Sequence, residues 1–597
     1  MLNARLYRAA LVPLLLAFAI AAFSLQGPPV PASSNLAPDA FQGPRAYAEL
    51  THLAGKYPSR RPGSPGDDAM AAEIARTLEG LGGTAGGGFS VRVLHTDGQT
   101  IDGERQLSTV IAERPGSTGA SAIVIVAHRD AAARGSAAEL SGTAALVELA
   151  RVFSARETKR TIVLVSTSGG SGGDAGAAAL PGALHGPLDA AIVLGDLSGT
   201  LMRRPIVIPF SDGEGSAPLQ FQRTVADAIT RETGADPGAP SVVGQLAHLM
   251  LPLAYGEQGV LDEAGLPAVL VQASGERGPS AAEPVSEDGL EGLGRSVLSA
   301  VDALDTAPDV PSAMQTGLQL QRKTLPAWVL RLLVGTMLLA PLITTADGFA
   351  RLRRRRMPVG RWTLWALACS VPVFVCAVLA YALGGLGILT AAPAVPAPAS
   401  AMPFDGQAAT AVAAVLLTFV LAWLVWGMLM RRLGWGVLPD PEVAGLSIMI
   451  VLLGVAVAVW VGNPLAALLL VPAAHLWLWL ASPELRPPRA GSLALVALGL
   501  APLALLIAFY ADRLGLGPGE VAWTALLLLA GGHVGLGGAI LWSLALGSAA
   551  AATLLAVSPM LPAAGPGPGE QVEVTIRGPL SYAGPGSLGG TESALRR

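Results

Sequence analysis

Apolar residues are spread along this chain in two different ways. From about residue 327 onward they form long runs with few charges, near 327–346, 362–386, 408–430, 443–461, 465–482, 491–510, 521–541 and 543–560. At 1.5 Å per residue such runs match the roughly 30 Å hydrocarbon layer of a bilayer. Between 27 and 324 the apolar runs are short and separated by polar residues, Gly and Pro. Those at 90–94, 108–112, 123–127, 161–166, 190–194, 205–208 and 268–272 predict strands. Ala71, Ile74, Leu78 and Leu81 fall on one side of a helix predicted over 67–80, and another helix is expected from Gln42 to about Tyr57. Strands alternating with helices over this length predict an α/β domain, followed by an all-α multi-span transmembrane bundle.

The expected organisation has four parts. Residues 1–26 are an N-terminal membrane anchor or a signal sequence, with a basic start (Arg5, Arg8) and an apolar stretch over 9–23. Ala21, Ala22 and Ser24 are small enough for cleavage, but the anchor is the reading taken. Residues 40–310 form the α/β domain and 325–560 a bundle of about eight helices. The Gly/Pro-rich tail over 561–597 is expected to be disordered.

Composition and charge place the chain. Of its 597 residues, 52% are hydrophobic and 14% charged, well below the roughly one-quarter charged residues of soluble domains. The lipid bilayer is therefore an expected partner. Arg351–Arg356 ("RLRRRR"), Arg431 with Arg432, and "ELRPPR" over 484–489 fall at alternate connections. The positive-inside rule makes these and the basic N-terminus cytoplasmic, so 27–324 is extracytoplasmic and the chain is a multi-pass plasma-membrane protein. A net charge of −4 and no further basic patch give no reason to expect nucleic acid. Both cysteines, Cys369 and Cys376, lie in one apolar run, roughly 10 Å apart along a helix, too far for a disulfide. Ionisable groups within the spans are sparse (Arg331, His475, His533), with Asp512 and Arg513 at a span end and no paired acids, which leaves an ion-coupled transporter weakly supported.

The stretch "IVIVAHRDAAARGSAAELSGTAALVELARVF" over 123–153 carries the chemistry. A strand delivers His128 and Asp130 at its end, a small-residue loop follows, and then a helix, the layout in which α/β enzymes bind ligands. With "RRPGSPGDDAMAAEIARTLEGLG", "KRTIVLVSTSGG", "PLDAAIVLGDLSG" and "LDEAGLPAVLV" following in register, the region resembles the aminopeptidase Y type of di-zinc peptidase, family M-twenty-eight. The resemblance implies a zinc-aminopeptidase-like mixed sheet flanked by helices.

By that resemblance His128 and Asp196 match the terminal ligands of the first zinc ion, and Asp130 the acid two residues after the histidine. The other positions depart from the pattern. Ala138 stands where the bridging aspartate belongs, and Gly170 and Ser171 where the ligand and general-base glutamates belong. The stretch 273–289 offers no terminal histidine, and the family's Ser-Asp-His has become Gly256-Glu257-Gln258. Zinc catalysis needs about three protein ligands and an open position, so no catalytic residue is assigned and no cofactor is expected unless the site is rebuilt for zinc. Glu139, Asp174, and His248 or Glu276 are the candidates for rebuilding it. The glycine-rich "SGGSGG" lacks the Gly-Lys-Ser/Thr ending of a phosphate loop.

The layout is similar to the endoplasmic-reticulum metallopeptidases and, in its loss of ligands, to the membrane attachment subunit of the GPI transamidase. The function expected is a membrane-tethered, peptidase-like protein whose exported domain is inactive and binds a peptide or protein partner. Two alternatives stay open: an active zinc exopeptidase with displaced ligands, and a transporter with a peptidase-like capture domain.

Overall fold

The computed structural model describes residues 4–34, 36–81, 88–310, 313–389, 393, 396–435, 441–482 and 485–558. The tail over 561–597 lies outside the described residues. Seven strands, β1 (Ser90–Thr100), β2 (Gly103–Arg114), β3 (Ala120–His128), β4 (Arg160–Thr167), β5 (Leu188–Leu194), β6 (Val207–Ile208) and β7 (Ala268–Val271), form one mixed sheet in the order β1-β2-β4-β3-β5-β7-β6. The four inner strands β4, β3, β5 and β7 are parallel, while β1, β2 and β6 join antiparallel. Helices cover both faces, so the inner strands are apolar on both sides. Ile123, Ile125 and Ala127 pack on one face, with the helices at Gly43–Lys56, Pro65–Gly80, Ser141–Ser154, Leu219–Thr233 and Glu287–Thr306. Ala122, Val124 and Val126 pack on the other, with Leu180, Phe210 and Leu261.

Local chemistry fixes the helix that carries the site. Gly142, in its first turn, lies against the carbonyls of Leu194 and Gly195, where any Cβ would collide. The Ser141 hydroxyl receives the Leu197 N–H at 2.8 Å and donates to the Ala138 carbonyl at 2.6 Å. The Pro65–Gly80 helix starts from a Ser64 cap, with Pro65 at its first position and Asp67 and Asp68 in its first turn.

Among the described residues, seven helices are long and apolar enough to cross a membrane: Ala4–Phe23, Ala327–Arg354, Val359–Gly385, Gly406–Arg432, Pro441–Gly462, Arg489–Leu514 and Leu536–Val557. The N-terminal one packs on Ala327–Arg354, and Tyr7 Oη lies 2.6 Å from His475 Nδ1, whose Nε2 is 2.9 Å from the Met337 carbonyl. His475 is thus a packed, hydrogen-bonded residue. The backbone of Gln26 pairs with that of Thr324, so the chain enters and leaves the α/β domain side by side.

The arginine-rich turns meet at one end of the bundle, where Arg355 is 3.5 Å from Glu442 and Arg361 donates to the Gly434 carbonyl at 3.1 Å. The opposite end holds the α/β domain: Asn463 donates to the Leu249 carbonyl at 2.8 Å and Arg513 to that of Arg204 at 2.9 Å. The run expected to cross at 521–541 is divided. Its helix, Pro518–Ala530, has 13 residues, about 20 Å of rise. Its start packs against Phe404 through Gly519 and its end against Pro393 through Gly531, while His533 lies 3.2 Å from the Pro252 carbonyl. Both ends of this helix therefore sit on the domain side. Gly531 and Gly532 break it, with Gly532 in the left-handed region (φ 84°).

Candidate functional site

The parallel strands β4, β3, β5 and β7 end on the same edge of the sheet. His128 closes β3, Thr167 closes β4, Asp196 follows β5 and Gln272 follows β7. The chain runs from β3 to β4 on one side and then back across β3 to β5 on the other, so this edge contains the crevice where open α/β sheets bind ligands. A small cavity of about 60 Å³ opens there, lined among others by His128, Glu139, Asp174, Glu257, Tyr255 and Gln272. Its far wall comes from Pro396, Pro398 and Ser400, in the connection between two membrane helices.

Asp130 is fully buried and its carboxylate is saturated. It accepts the backbone N–H groups of Gly169 at 2.9 Å, Gly170 at 3.1 Å and Ser171 at 3.0 Å, and the Ser171 hydroxyl at 2.5 Å. The loop that would have carried the two glutamates is therefore folded onto Asp130. Its Gly170 is pressed so close to His128 that an added Cβ would run into the imidazole's own Cβ and Cγ. His128 Nδ1 lies 3.2 Å from the Asp130 carbonyl and 3.6 Å from its carboxylate. Burial alone would lower the pKa of His128, but the Asp130 carboxylate, with Glu257 and Glu139 behind it, raises it to about 10, so the imidazole is cationic at neutral pH.

The remaining expected residues are placed as follows. Asp196 is buried and caps its own turn, accepting the N–H groups of Ser198 at 3.0 Å and Gly199 at 2.9 Å. Ala138 is buried in the short 3-10 turn Ala138–Leu140, and Glu139 beside it faces the cavity. His248 and Glu276 pair with each other, Nε2 to Oε2 at 3.0 Å. A zinc ion wants about three protein ligands, and among the described residues no three His, Cys, Asp or Glu side chains converge in a metal-holding group. As arranged, with Asp130 saturated and the loop closed on His128, these side chains do not fit the zinc pair that the sequence resemblance implies.

Glu257 was not among the residues singled out from the sequence. It is fully buried, accepts a hydrogen bond from the Thr167 hydroxyl through Oε1, and leaves Oε2 without a partner. Burial pushes its pKa up to about 7, against the lowering effect of His128. Asp174, buried and in the left-handed region (φ 46°), has neither carboxylate oxygen hydrogen-bonded. Burial and the charges of Glu257 and Asp212 hold its pKa well above the carboxylate range. Glu139 is also raised to about 7, first by burial. The only signal of Glu257 in the sequence was its place in the altered Gly256-Glu257-Gln258.

Below the cavity a buried ion pair braces the strand ends. Arg129 Nε lies 2.8 Å from Asp67 Oδ1, and the guanidinium also donates to the carbonyls of Ser166 and Thr167 at 3.0 Å.

Solved structures that align with part of the chain include aminopeptidases and glutaminyl cyclases. The Legionella pneumophila LapA aminopeptidase is 14% identical, covering 46% of this chain and 74% of its own, with a TM-score of 0.35. BSAP, a zinc aminopeptidase from Bacillus subtilis, is 11% identical over 46% of this chain and 98% of its own, TM-score 0.35. The Bacteroides thetaiotaomicron glutaminyl cyclase bound to N-acetylhistamine is 15% identical over 44% of this chain and 98% of its own, TM-score 0.35. No family model matches the chain, and no curated protein matches it in sequence.

The cavity has space for a few waters or one ammonium-sized group, and it is faced by carboxylates whose free oxygens lack a donor.

Proposed function

We propose that this chain is a membrane-tethered, peptidase-like protein whose extracytoplasmic domain holds a cationic group of a peptide or protein partner and does not cleave it. The observation that carries the reading is the contrast between two sets of acids. Asp130 is consumed by the loop, whereas Asp174 and Glu257 face the cavity with unpartnered oxygens. Burying an unpaired carboxylate is costly, and a positively charged ligand group relieves that cost. A polypeptide amino terminus or a lysine side chain supplies such a group. The seven long apolar helices and the arginine-rich turns at the far end of the bundle support a multi-pass chain with its N-terminus cytoplasmic and 27–324 outside.

The test uses the full chain in nanodiscs. Peptides with a free amino terminus should bind, their N-acetylated forms should not, and Glu257→Gln with Asp174→Asn should weaken binding at least about tenfold, or 1.4 kcal/mol. Equal binding of free and acetylated peptides would overturn the receptor reading. Zinc content and aminopeptidase activity, measured beside His128→Ala, test the other half. Zinc that disappears in the variant together with hydrolysis would establish the exopeptidase alternative with displaced ligands. The transporter alternative predicts a polar cavity between the spans, and a cavity of about 500 Å³ within the bundle is instead lined by apolar side chains apart from Cys376 and Ser543.

A further inference from the structure

The non-crossing helix Pro518–Ala530 leaves a space beneath it. A chamber of about 500 Å³ lies between Val371–Gly385, Gly406–Arg432, Arg489–Leu514 and Leu536–Val557. Ala522, Ala525 and Leu529 of the short helix form its cover, and Leu251, from the α/β domain, also reaches it. Its lining holds no Asp, Glu, Lys, Arg or His; Cys376 and Ser543 are among its few polar members. A dry apolar cavity of about 150 Å³ already takes up benzene, so a space roughly three times larger accommodates a long hydrocarbon.

We infer that this chamber is a binding site for one acyl chain of a bilayer phospholipid. Three observations select that occupant. The walls are helices long and apolar enough to cross a bilayer, which puts the space at the depth of lipid tails when they do. The cover is about 20 Å of helix whose two ends both turn back to the domain side, and among the described residues no segment fills the space below it. The lining offers dispersion contacts and no charge, which suits a hydrocarbon and excludes a headgroup, a peptide or an ion. The headgroup would stay at the rim, where His533 and Tyr381 hold the turn after the cover: Tyr381 donates to the Val534 carbonyl at 2.6 Å.

Native mass spectrometry of the full chain, released from nanodiscs of defined phosphatidylcholine and phosphatidylglycerol, reads this directly. Wild-type protein should retain a phospholipid after the annular lipids have been stripped. The chamber-filling variants Ala377→Trp and Ala525→Trp should lose it, while Leu424→Trp, on the lipid-facing side of its helix at 65% exposure, should keep it. Retention unchanged by both filling variants would mean annular lipid only and overturn the inference. Should the filling variants fail to fold, a phosphatidylcholine with a photoreactive group near its chain end decides the matter on wild-type protein. Crosslinks at 522–529 and 373–380 support the chamber, and crosslinks confined to outward faces such as 420–429 overturn it. Uptake of an N-acylated peptide in preference to phospholipid would equally overturn the assignment, because the occupant would then be a lipidated polypeptide.

Discussion

Gly170 rests directly against His128, leaving no room for a side chain at the position where the resembling peptidases carry a glutamate. The backbone fills the space where the sequence resemblance expects a glutamate, and the Gly170 N–H is donated to Asp130. Restoring the acid with Gly170→Glu should therefore give neither zinc uptake nor hydrolysis. It should lower stability by about 1–3 kcal/mol through overpacking, read as a fall in melting temperature. A variant that gains zinc with its melting temperature unchanged would show that the loop opens freely.

Stability of the α/β domain should decline as pH rises. Glu257 and Glu139 titrate near 7 in the fold against an ordinary 4.5, each raised first by burial. Their contribution is complete below about pH 4.5 and lost as pH passes through about 7. His128, raised from 6.5 to about 10 against the opposing effect of burial, contributes below about pH 6.5 and loses that contribution as pH passes through about 10. Glu257→Gln should remove much of the first decline and stabilise the protein at pH 8 by on the order of 2 kcal/mol. Chemical unfolding from pH 5 to 10 measures it; wild-type stability that climbs from pH 5 to 8 would contradict the assignment.

Asp67 and Arg129 are both fully buried and neutralise each other. Removing one partner strands the other's charge, so Asp67→Ala should cost about 3–5 kcal/mol. Thermal unfolding checks this, and a loss below about 1 kcal/mol would mean that the backbone carbonyls alone satisfy Arg129.

His248 links the two halves of the chain. It pairs with Glu276, stacks on Phe210 with ring centres 3.6 Å apart, and places Nδ1 3.3 Å from the Tyr510 hydroxyl of a membrane helix. His248→Ala should raise amide exchange over 242–251 and 509–516 together, by about 1–3 kcal/mol of local opening. Exchange that changes in only one of the two segments would show that they move independently.

The strands were legible because their side chains alternate between two buried faces, as Ala122 to Ala127 do. The β1–β2 ribbon runs further than expected, to Thr100 and back from Gly103. Its tip carries Asp97, Gly98 and Gln99, which read as loop residues when no apolar partner is required. Arg129 sits between His128 and Asp130, and strand alternation alone would have turned it away from them, toward Asp67. Glu257 was harder to see, because it lies 90 residues from the Thr167 hydroxyl it accepts from. The run over 521–541 reads as a crossing from its apolar residues; the contacts of Gly531 with Pro393 and of His533 with Pro252 show that its first helix does not descend.

The cleft wall built by Pro396, Pro398 and Ser400 has a practical corollary. A secreted fragment ending near residue 310 would lack that wall and the Tyr510 and Arg513 partners of His248 and Glu276. Its crevice would be wider, wetter and less discriminating than the native one. Affinities obtained on such a fragment would describe a crevice that the intact chain never presents.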